Sequence, residues 1–223
     1  QFCIDIDRKE EVKPSQTTIG LDVGLNHFYT DSNGEVVENP RFLRKSERQL
    51  KKLQRRVSKR KKGSANRRKA IKRLARKHLQ VSRQRKDFAI KTARCVVRSN
   101  DLIVYEDLQV RNMVKNHKLA KSISDASWSM FRGWIEYFGK VFGKVTVAVP
   151  PQYTSQNCSI CGQQVVKTLS QRTHQCSHCG TVLDRDHNAA LNILAIGLNR
   201  VGHTQINACG EFDLCQLDAL SGW

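Results

Sequence analysis

The sequence predicts an α/β fold with a mixed sheet, carrying an inserted, long basic helical hairpin and a four-cysteine zinc ribbon. Three observations lead to this prediction. Short β-rich stretches alternate with amphipathic helical patterns along most of the 223 residues. One segment, residues 41–98, holds 25 of the 39 Lys and Arg residues. Two Cys-x2-Cys pairs follow at 158–161 and 176–179.

The chain begins with a predicted three-stranded antiparallel unit. Residues 17–23 are β-rich, 27–30 and 35–37 continue the pattern, and Asp31-Ser32-Asn33-Gly34 provides a hairpin turn. Residues 1–16 have no signal-peptide pattern and begin like a strand entered midway. We therefore expect them to be the last strand of a missing N-terminal region of a longer protein.

Two basic helices follow in the segment 41–98. Apolar residues recur at helical spacing on both sides of Gly63-Ser64, where Ser64 is a candidate cap for the second helix. Glu47 and Asp87 are the only acids, so the segment is more positive than the whole chain, whose net charge is +19.

Charge runs are usually solvated faces. Like-signed neighbours on a helix repel each other, however, and a polyanion relieves that repulsion. Nucleic-acid contact is therefore the preferred interpretation. The candidate contact residues are Arg55, Arg56, Lys59, Arg60, Arg67, Arg68 and Arg76.

The remaining elements complete the order of a ribonuclease-H-like fold. A strand at 102–105, a loop at 109–121, a helix at 125–142, a strand at 144–149 and a helix at 188–198 are predicted. The resulting order is βββ, helix, β, helix, β, helix. The predicted domains are a nuclease-type core (17–153) with its basic insertion (41–99), a zinc ribbon (154–183), a final helix (184–200) and a tail (201–223).

The four cysteines Cys158, Cys161, Cys176 and Cys179 have the spacing of a structural zinc site. Four thiolates close the coordination shell and leave no position for a substrate water. Two alternatives stay open: the cysteines are simply reduced structural residues, or His174 or His178 replaces one ligand. Irregular spacing of the other cysteines favours a reducing cytosol over a disulfide framework.

Three carboxylates stand at the ends of predicted elements: Asp22, Glu106 and Asp186. Clustered carboxylates can hold the two Mg²⁺ or Mn²⁺ ions of phosphodiester hydrolysis. Gly20 and Gly24 are expected to leave room around Asp22 for metal and phosphate. Taken singly, each carboxylate could be an ordinary strand end or helix cap; taken together with the element order, they favour a nuclease.

The combined motifs resemble the TnpB proteins, which are encoded by bacterial insertion sequences and are relatives of the type V CRISPR effectors. The resemblance rests on Gly20-Leu21-Asp22-Val23-Gly24, Val104-Tyr105-Glu106-Asp107-Leu108, the cysteine pairs, and Asp184-Arg185-Asp186-His187-Asn188-Ala189-Ala190. It implies a RuvC-like domain with an inserted zinc ribbon, and Asp22, Glu106 and Asp186 as metal ligands. Asp184, Arg185 and Asn188 are implied as supporting residues.

The resemblance also implies RNA-guided DNA cleavage, with a guide RNA, a target DNA and an N-terminal region, on the same or a separate chain, as partners. The expected location is the bacterial cytoplasm, in association with the nucleoid and not with a membrane. Two other functions remain as alternatives. One is a non-catalytic nucleic-acid-binding module, and the other is a RuvC-type resolvase that works without RNA.

Overall fold

The structure, a computed structural model, describes residues 8–168 and 170–202. The strand expected at the very start of the chain (1–7) and most of the predicted tail (203–223) lie outside the described residues. The elements are β1 Thr18–Val23, β2 His27–Asp31, β3 Val36–Glu38, α1 Phe42–Ser58, α2 Ala65–Ser99, β4 Leu102–Glu106, α3 Val110–Met113, α4 Ala120–Ala126, α5 Trp128–Phe142, β5 Val145–Val149, β6 Thr173–Gln175, β7 Val182–Asp184 and α6 Arg185–Arg200.

The central sheet is mixed, as predicted, and has the strand order β3-β2-β1-β4-β5. β1, β2 and β3 pair antiparallel, whereas β1 pairs parallel with β4, and β4 with β5. Gly20 on β1 lies opposite Val104 on β4. The parallel strands β1 and β4 therefore end at the same edge of the sheet. Ligands commonly bind at this edge in open α/β sheets.

The two faces of the sheet are covered by different helices. Ile19, Leu21 and Ile103 point into the larger core, together with buried residues of α2 and α5. Val104 belongs to a second core with Ile193 of α6. Because side chains alternate along a strand, Gly20, Asp22, Val104 and Glu106 all face α6.

Gly20 is required by the packing of α6. A Cβ atom at this position would lie 2.3 Å from the carbonyl oxygen of Ala190 and 2.8 Å from Cβ of Leu194. The space at Gly20 is thus filled by α6. The expectation that this glycine leaves room for metal and phosphate is wrong, because its small size serves close helix–strand packing.

The first basic helix, α1, packs against α2, and Ser64 caps α2 by accepting a hydrogen bond from the Arg67 N–H at 3.2 Å. At the other end of α1, Asp125 of α4 accepts hydrogen bonds from the Leu43 and Arg44 N–H groups. The same carboxylate pairs with Arg85 of α2 at 2.8 Å. A single buried acid therefore joins the start of α1 to α2.

The region between β4 and β5 differs from the prediction. Residues 109–121, expected to be a loop, contain α3 and the beginning of α4. The helix expected at 125–142 begins at Trp128, because Ser127 has a left-handed backbone (φ 59°) that separates α4 from α5. None of the described helices combines the length and apolarity of a membrane span.

Candidate functional site

Asp22 and Glu106 lie at the shared edge of the two parallel strands. Asp22 is the last residue but one of β1, and Glu106 is the last residue of β4. Extending the Gly20–Val104 register by two residues brings Asp22 beside Glu106 on the face toward α6. Adjacent strands are about 4.8 Å apart, so the two carboxylates are neighbours.

Asp186 completes the group from the first turn of α6. Burial raises the pKa of Asp22 well above its usual value, and the negative charges of Glu106 and Asp186 raise it further, while Arg185 opposes them. Burial also raises the pKa of Glu106, against the effect of a hydrogen bond from Thr154. The three predicted carboxylates therefore share one electrostatic environment despite their separation in sequence.

Asp184 and Asp186 have different roles at the start of α6. Asp184 is the N-cap: its Oδ1 accepts hydrogen bonds from the N–H groups of Asp186 (2.8 Å) and His187 (3.2 Å). The capping alternative thus applies to Asp184. Asp186 lies beside Arg185, at 3.2 Å, and Arg172, at 3.6 Å.

The donor set at this edge fits a hard divalent cation. Three half-buried carboxylates offer only oxygen ligands, and their mutual repulsion favours a cation between them. Within the described part of the chain, the four cysteines are the only group of three or more candidate ligands whose ligand atoms all lie within 4.8 Å of one another. The oxygen atoms of Asp22, Glu106 and Asp186 would therefore have to move closer together to bind a cation.

The cysteine group has the geometry of a tetrahedral zinc site. The four Sγ atoms lie within 4.8 Å of one another, and the Cys158–Cys179 and Cys161–Cys176 pairs are each 3.6 Å apart. A Zn–S bond of about 2.3 Å places tetrahedral sulfurs about 3.8 Å apart, whereas a disulfide would require about 2.05 Å. The four sulfurs therefore fit zinc without a histidine ligand.

Each cysteine pair sits in the same kind of turn. Gly162 and Gly180 follow the two pairs with positive φ angles of 74° and 75°. Their N–H groups donate to the carbonyls of Cys158 and Cys176 at 2.9 and 3.0 Å. Hydrogen bonds from Thr181 lower the pKa of the Cys179 thiol, whereas burial and the three neighbouring thiols raise the pKa of Cys161, so Cys179 is the thiol of this group that ionises more readily.

The residues predicted to contact nucleic acid lie on α1, α2 and the turn between them. Arg55, Arg56 and Arg68 are exposed. Among the described residues, no carboxylate lies within ion-pair distance of these three. Arg67 differs, because it donates hydrogen bonds to the Val57 and Arg60 carbonyls at 3.1 Å and so terminates α1. The other predicted contact residues, Lys59, Arg60 and Arg76, are also exposed.

Two residues near the carboxylates were not predicted. Thr154 donates a 2.6 Å hydrogen bond to Oε1 of Glu106, and Asn192 of α6 donates to the Thr154 carbonyl at 2.8 Å. Asn188 and Asn192 are four residues apart and therefore lie on one face of an otherwise apolar helix. This pattern could have indicated a polar contact on that face. Nothing in the sequence around Thr154 indicates its partner, 48 positions away.

Comparison with known proteins gives matches along most of the chain. Residues 1–117 match the family OrfB_IS605, described as "Probable transposase", and residues 128–193 match the "Cas12f1-like, TNB domain" family. A Streptomyces pristinaespiralis protein named "Putative RNA-guided DNA endonuclease" is 40% identical over 91% of this chain and 50% of its own length. "Putative RNA-guided DNA endonuclease InsQ" of Escherichia coli K12 is 35% identical over 95% and 56%.

A solved structure supports the fold. The Cas12f1 chain of a Cas12f1–sgRNA–target DNA complex aligns with a TM-score of 0.58 at 18% identity, covering 83% of this chain and 51% of that one. The present chain thus spans about half the length of the proteins that it matches. The shared architecture is a mixed α/β fold.

Proposed function

The chain belongs to the OrfB_IS605 family, which is described as "Probable transposase", and from this premise we propose that it is the nuclease part of an RNA-guided DNA endonuclease of the TnpB type, the type that its motifs resemble. The names of its two bacterial relatives support the activity. In this proposal the sheet with its flanking helices is a RuvC-like, ribonuclease-H-like core. Its partners are a guide RNA, a target DNA and the N-terminal region, and its location is the bacterial cytoplasm.

The observation that carries the proposal is the convergence of Asp22, Glu106 and Asp186. They come from two neighbouring strand ends and one helix start, and the charges of the other two raise the pKa of Asp22. A structural protein gains nothing from burying like charges together, because each raises the cost of ionising the others. A site built to receive divalent cations needs such a cluster.

Asp22, Glu106 and Asp186 would hold Mg²⁺ or Mn²⁺. When bound, a pair of these ions supplies an activated water and stabilises the leaving 3′ oxygen of a phosphodiester. The side chains supply oxygen ligands fixed to rigid elements. Arg185 and Arg172, beside Asp186, add positive charge next to the place where a phosphate would lie.

The other two predicted regions have supporting roles. Zn²⁺ bound by Cys158, Cys161, Cys176 and Cys179 would hold the ribbon together and take no part in hydrolysis, because four thiolates fill its coordination shell. The exposed cations of α1 and α2 would bind nucleic-acid phosphates without reading their sequence.

The test is Asp22→Ala in the complete, guide-loaded protein, with Asp87→Ala as the matched control. Asp87 is an exposed acid on α2 that pairs with the exposed Lys91. We expect Asp22→Ala to abolish cutting and to leave DNA binding nearly unchanged, since metal ligands act mainly in the transition state. Asp87→Ala should cut normally. Normal cutting by Asp22→Ala would exclude the proposed mechanism and favour the non-catalytic module.

A further inference from the structure

A chain of hydrogen bonds runs from the first cysteine turn of the ribbon to Glu106. The N–H of Ser159, between Cys158 and Cys161, donates to Oδ1 of Asn188 at 3.0 Å. Nδ2 of Asn188 donates to the Asn157 carbonyl at 2.8 Å. The ribbon is thereby attached to the first two turns of α6, the helix that also carries Asp186.

The second half of this chain reaches the carboxylate. Asn192 is one turn beyond Asn188, and its Nδ2 donates to the carbonyls of Thr154 and Asn157, both at 2.8 Å. The Thr154 hydroxyl donates to Oε1 of Glu106 at 2.6 Å, with the Pro151 carbonyl as a longer second acceptor at 3.2 Å. Together these links connect α6 and the first cysteine turn, through residues 151–157, to the end of β4.

The burial of these groups makes the contacts rigid. Asn188 is 0% exposed and Thr154 is 4% exposed. A buried polar group that loses its partner costs about 1–3 kcal/mol, so neither side chain can turn away at low cost. Glu106, by contrast, has a flexible side chain at a strand end, and the Thr154 hydroxyl is the hydrogen-bond donor that the structure gives to its carboxylate.

We propose that Thr154 is a positioning residue for the carboxylate cluster: its hydroxyl holds one oxygen of Glu106 and leaves the other oxygen available as a ligand for a divalent cation that Asp22 and Asp186 would also hold. This inference rests on the proposed function. Asn192 fixes the backbone of Thr154 to α6, so the zinc ribbon, the helix with Asp186 and the strand with Glu106 keep one relative placement. The ribbon thereby contributes to cation affinity as well as to its own folding.

The test measures Mn²⁺ binding by the zinc-replete chain through electron paramagnetic resonance of the free ion, so it does not depend on cutting. Thr154→Val keeps the side-chain volume but removes the hydroxyl, and Thr154→Ser keeps the hydroxyl. We expect Thr154→Val to weaken Mn²⁺ binding about 10–100-fold, the usual effect of losing a partner of a metal ligand. Thr154→Ser should bind Mn²⁺ nearly as the unaltered chain does.

Thr173→Val is the matched control, because Thr173 is exposed on β6 of the same ribbon. It should leave Mn²⁺ affinity unchanged. Equal Mn²⁺ affinity in Thr154→Val and the unaltered chain would overturn the positioning role while leaving the proposed metal site intact. Equal weakening by Thr154→Val and Thr154→Ser, with a lowered melting temperature, would assign Thr154 to folding alone. Failure of the unaltered chain to bind Mn²⁺ would instead contradict the proposed function itself.

Discussion

Two regions of this protein collect charges of one sign, one at a half-buried edge of the sheet and one on the exposed surface. At the sheet edge, Asp22 and Glu106 are half-buried near Asp186, where repulsion between charges is less screened than in open water, and the pKa of Asp22 is raised accordingly. Along α1 and the first half of α2, most of the cations are exposed, and water and salt weaken their repulsion.

The contrast indicates which partner each region needs. Buried like charges at one point are best neutralised by a small ion that enters the cluster, such as Mg²⁺. Exposed like charges spread along two helices match a long polyanion, whose release of counterions drives association. Repulsion between like charges is thus relieved by a metal ion at the sheet edge and by a nucleic acid along α1 and α2.

The largest expected effect concerns a third cluster, the four thiols. Cys161→Ser removes one of four zinc ligands, and structural zinc sites contribute about 10–16 kcal/mol of apparent binding free energy in small domains. We therefore expect loss of bound zinc and rapid proteolysis within the ribbon. Metal analysis and limited proteolysis measure both. Cys95→Ser, an exposed cysteine of α2, is the control and should retain one zinc per chain. Stoichiometric zinc in Cys161→Ser would require a histidine ligand.

Local sequence patterns predicted much of the architecture. The Cys-x2-Cys spacing predicts the two cysteine turns. A serine placed just before apolar residues at helical spacing predicts the helix cap at Ser64. The strand ends that carry Asp22 and Glu106 were likewise readable, because β-rich runs stop there. The metal-binding role of these carboxylates stays a prediction.

Tertiary contacts account for what the sequence did not predict. The break at Ser127 accompanies the use of Asp125 as a distant cap for α1, 82 positions from Leu43. Gly20 was expected to leave room for metal and phosphate, but its role is set by the close approach of Ala190. Thr154 has no pattern around it. Each of these depends on a residue far away in sequence, which periodicity does not reveal.

A smaller effect is expected when the buried repulsion is removed in metal-free protein. The pKa of Asp22 is higher in the folded state than in the unfolded state. The folded protein therefore binds a proton at the Asp22 carboxylate more tightly than the unfolded chain does. Stability therefore falls as pH rises above the unfolded value of about 4. Asp22→Asn should melt higher than the unaltered chain at pH 7, by about 2–4 °C for each kcal/mol of repulsion relieved.

Two further conditions sharpen this comparison. Below about pH 3 the difference in melting temperature should disappear, because the carboxyl is then protonated in both states. Added Mg²⁺ should stabilise the unaltered chain more than Asp22→Asn. The control Asp87→Asn removes an exposed carboxylate and should change the melting temperature little. Equal melting of Asp22→Asn and the unaltered chain in metal-free buffer at pH 7 would show that the cluster is not repulsive.

The smallest expected effect lies in the salt dependence of nucleic-acid binding. Arg55, Arg56 and Arg68 are exposed, whereas Arg67 is hydrogen-bonded to the end of α1. Changing the first three to Gln keeps helix propensity and should reduce the slope of log K against log salt by about 0.9 per lost contact with duplex DNA, or about 0.7 with a single strand. The affinity should fall similarly for all sequences.

Two single substitutions separate a phosphate contact from a general loss of charge. Lys140→Gln removes an exposed cation from α5, outside the basic segment, and should leave the slope unchanged. Arg67→Gln removes a cation inside that segment, but its main effect should be on stability, because the carbonyls of Val57 and Arg60 lose their donor. A slope that is the same for the triple variant and the unaltered chain would mean that these arginines face solvent in the complex. A slope that falls by the same amount per removed charge in Lys140→Gln and in the triple variant would mean that net charge alone, and not the surface of α1 and α2, attracts the nucleic acid.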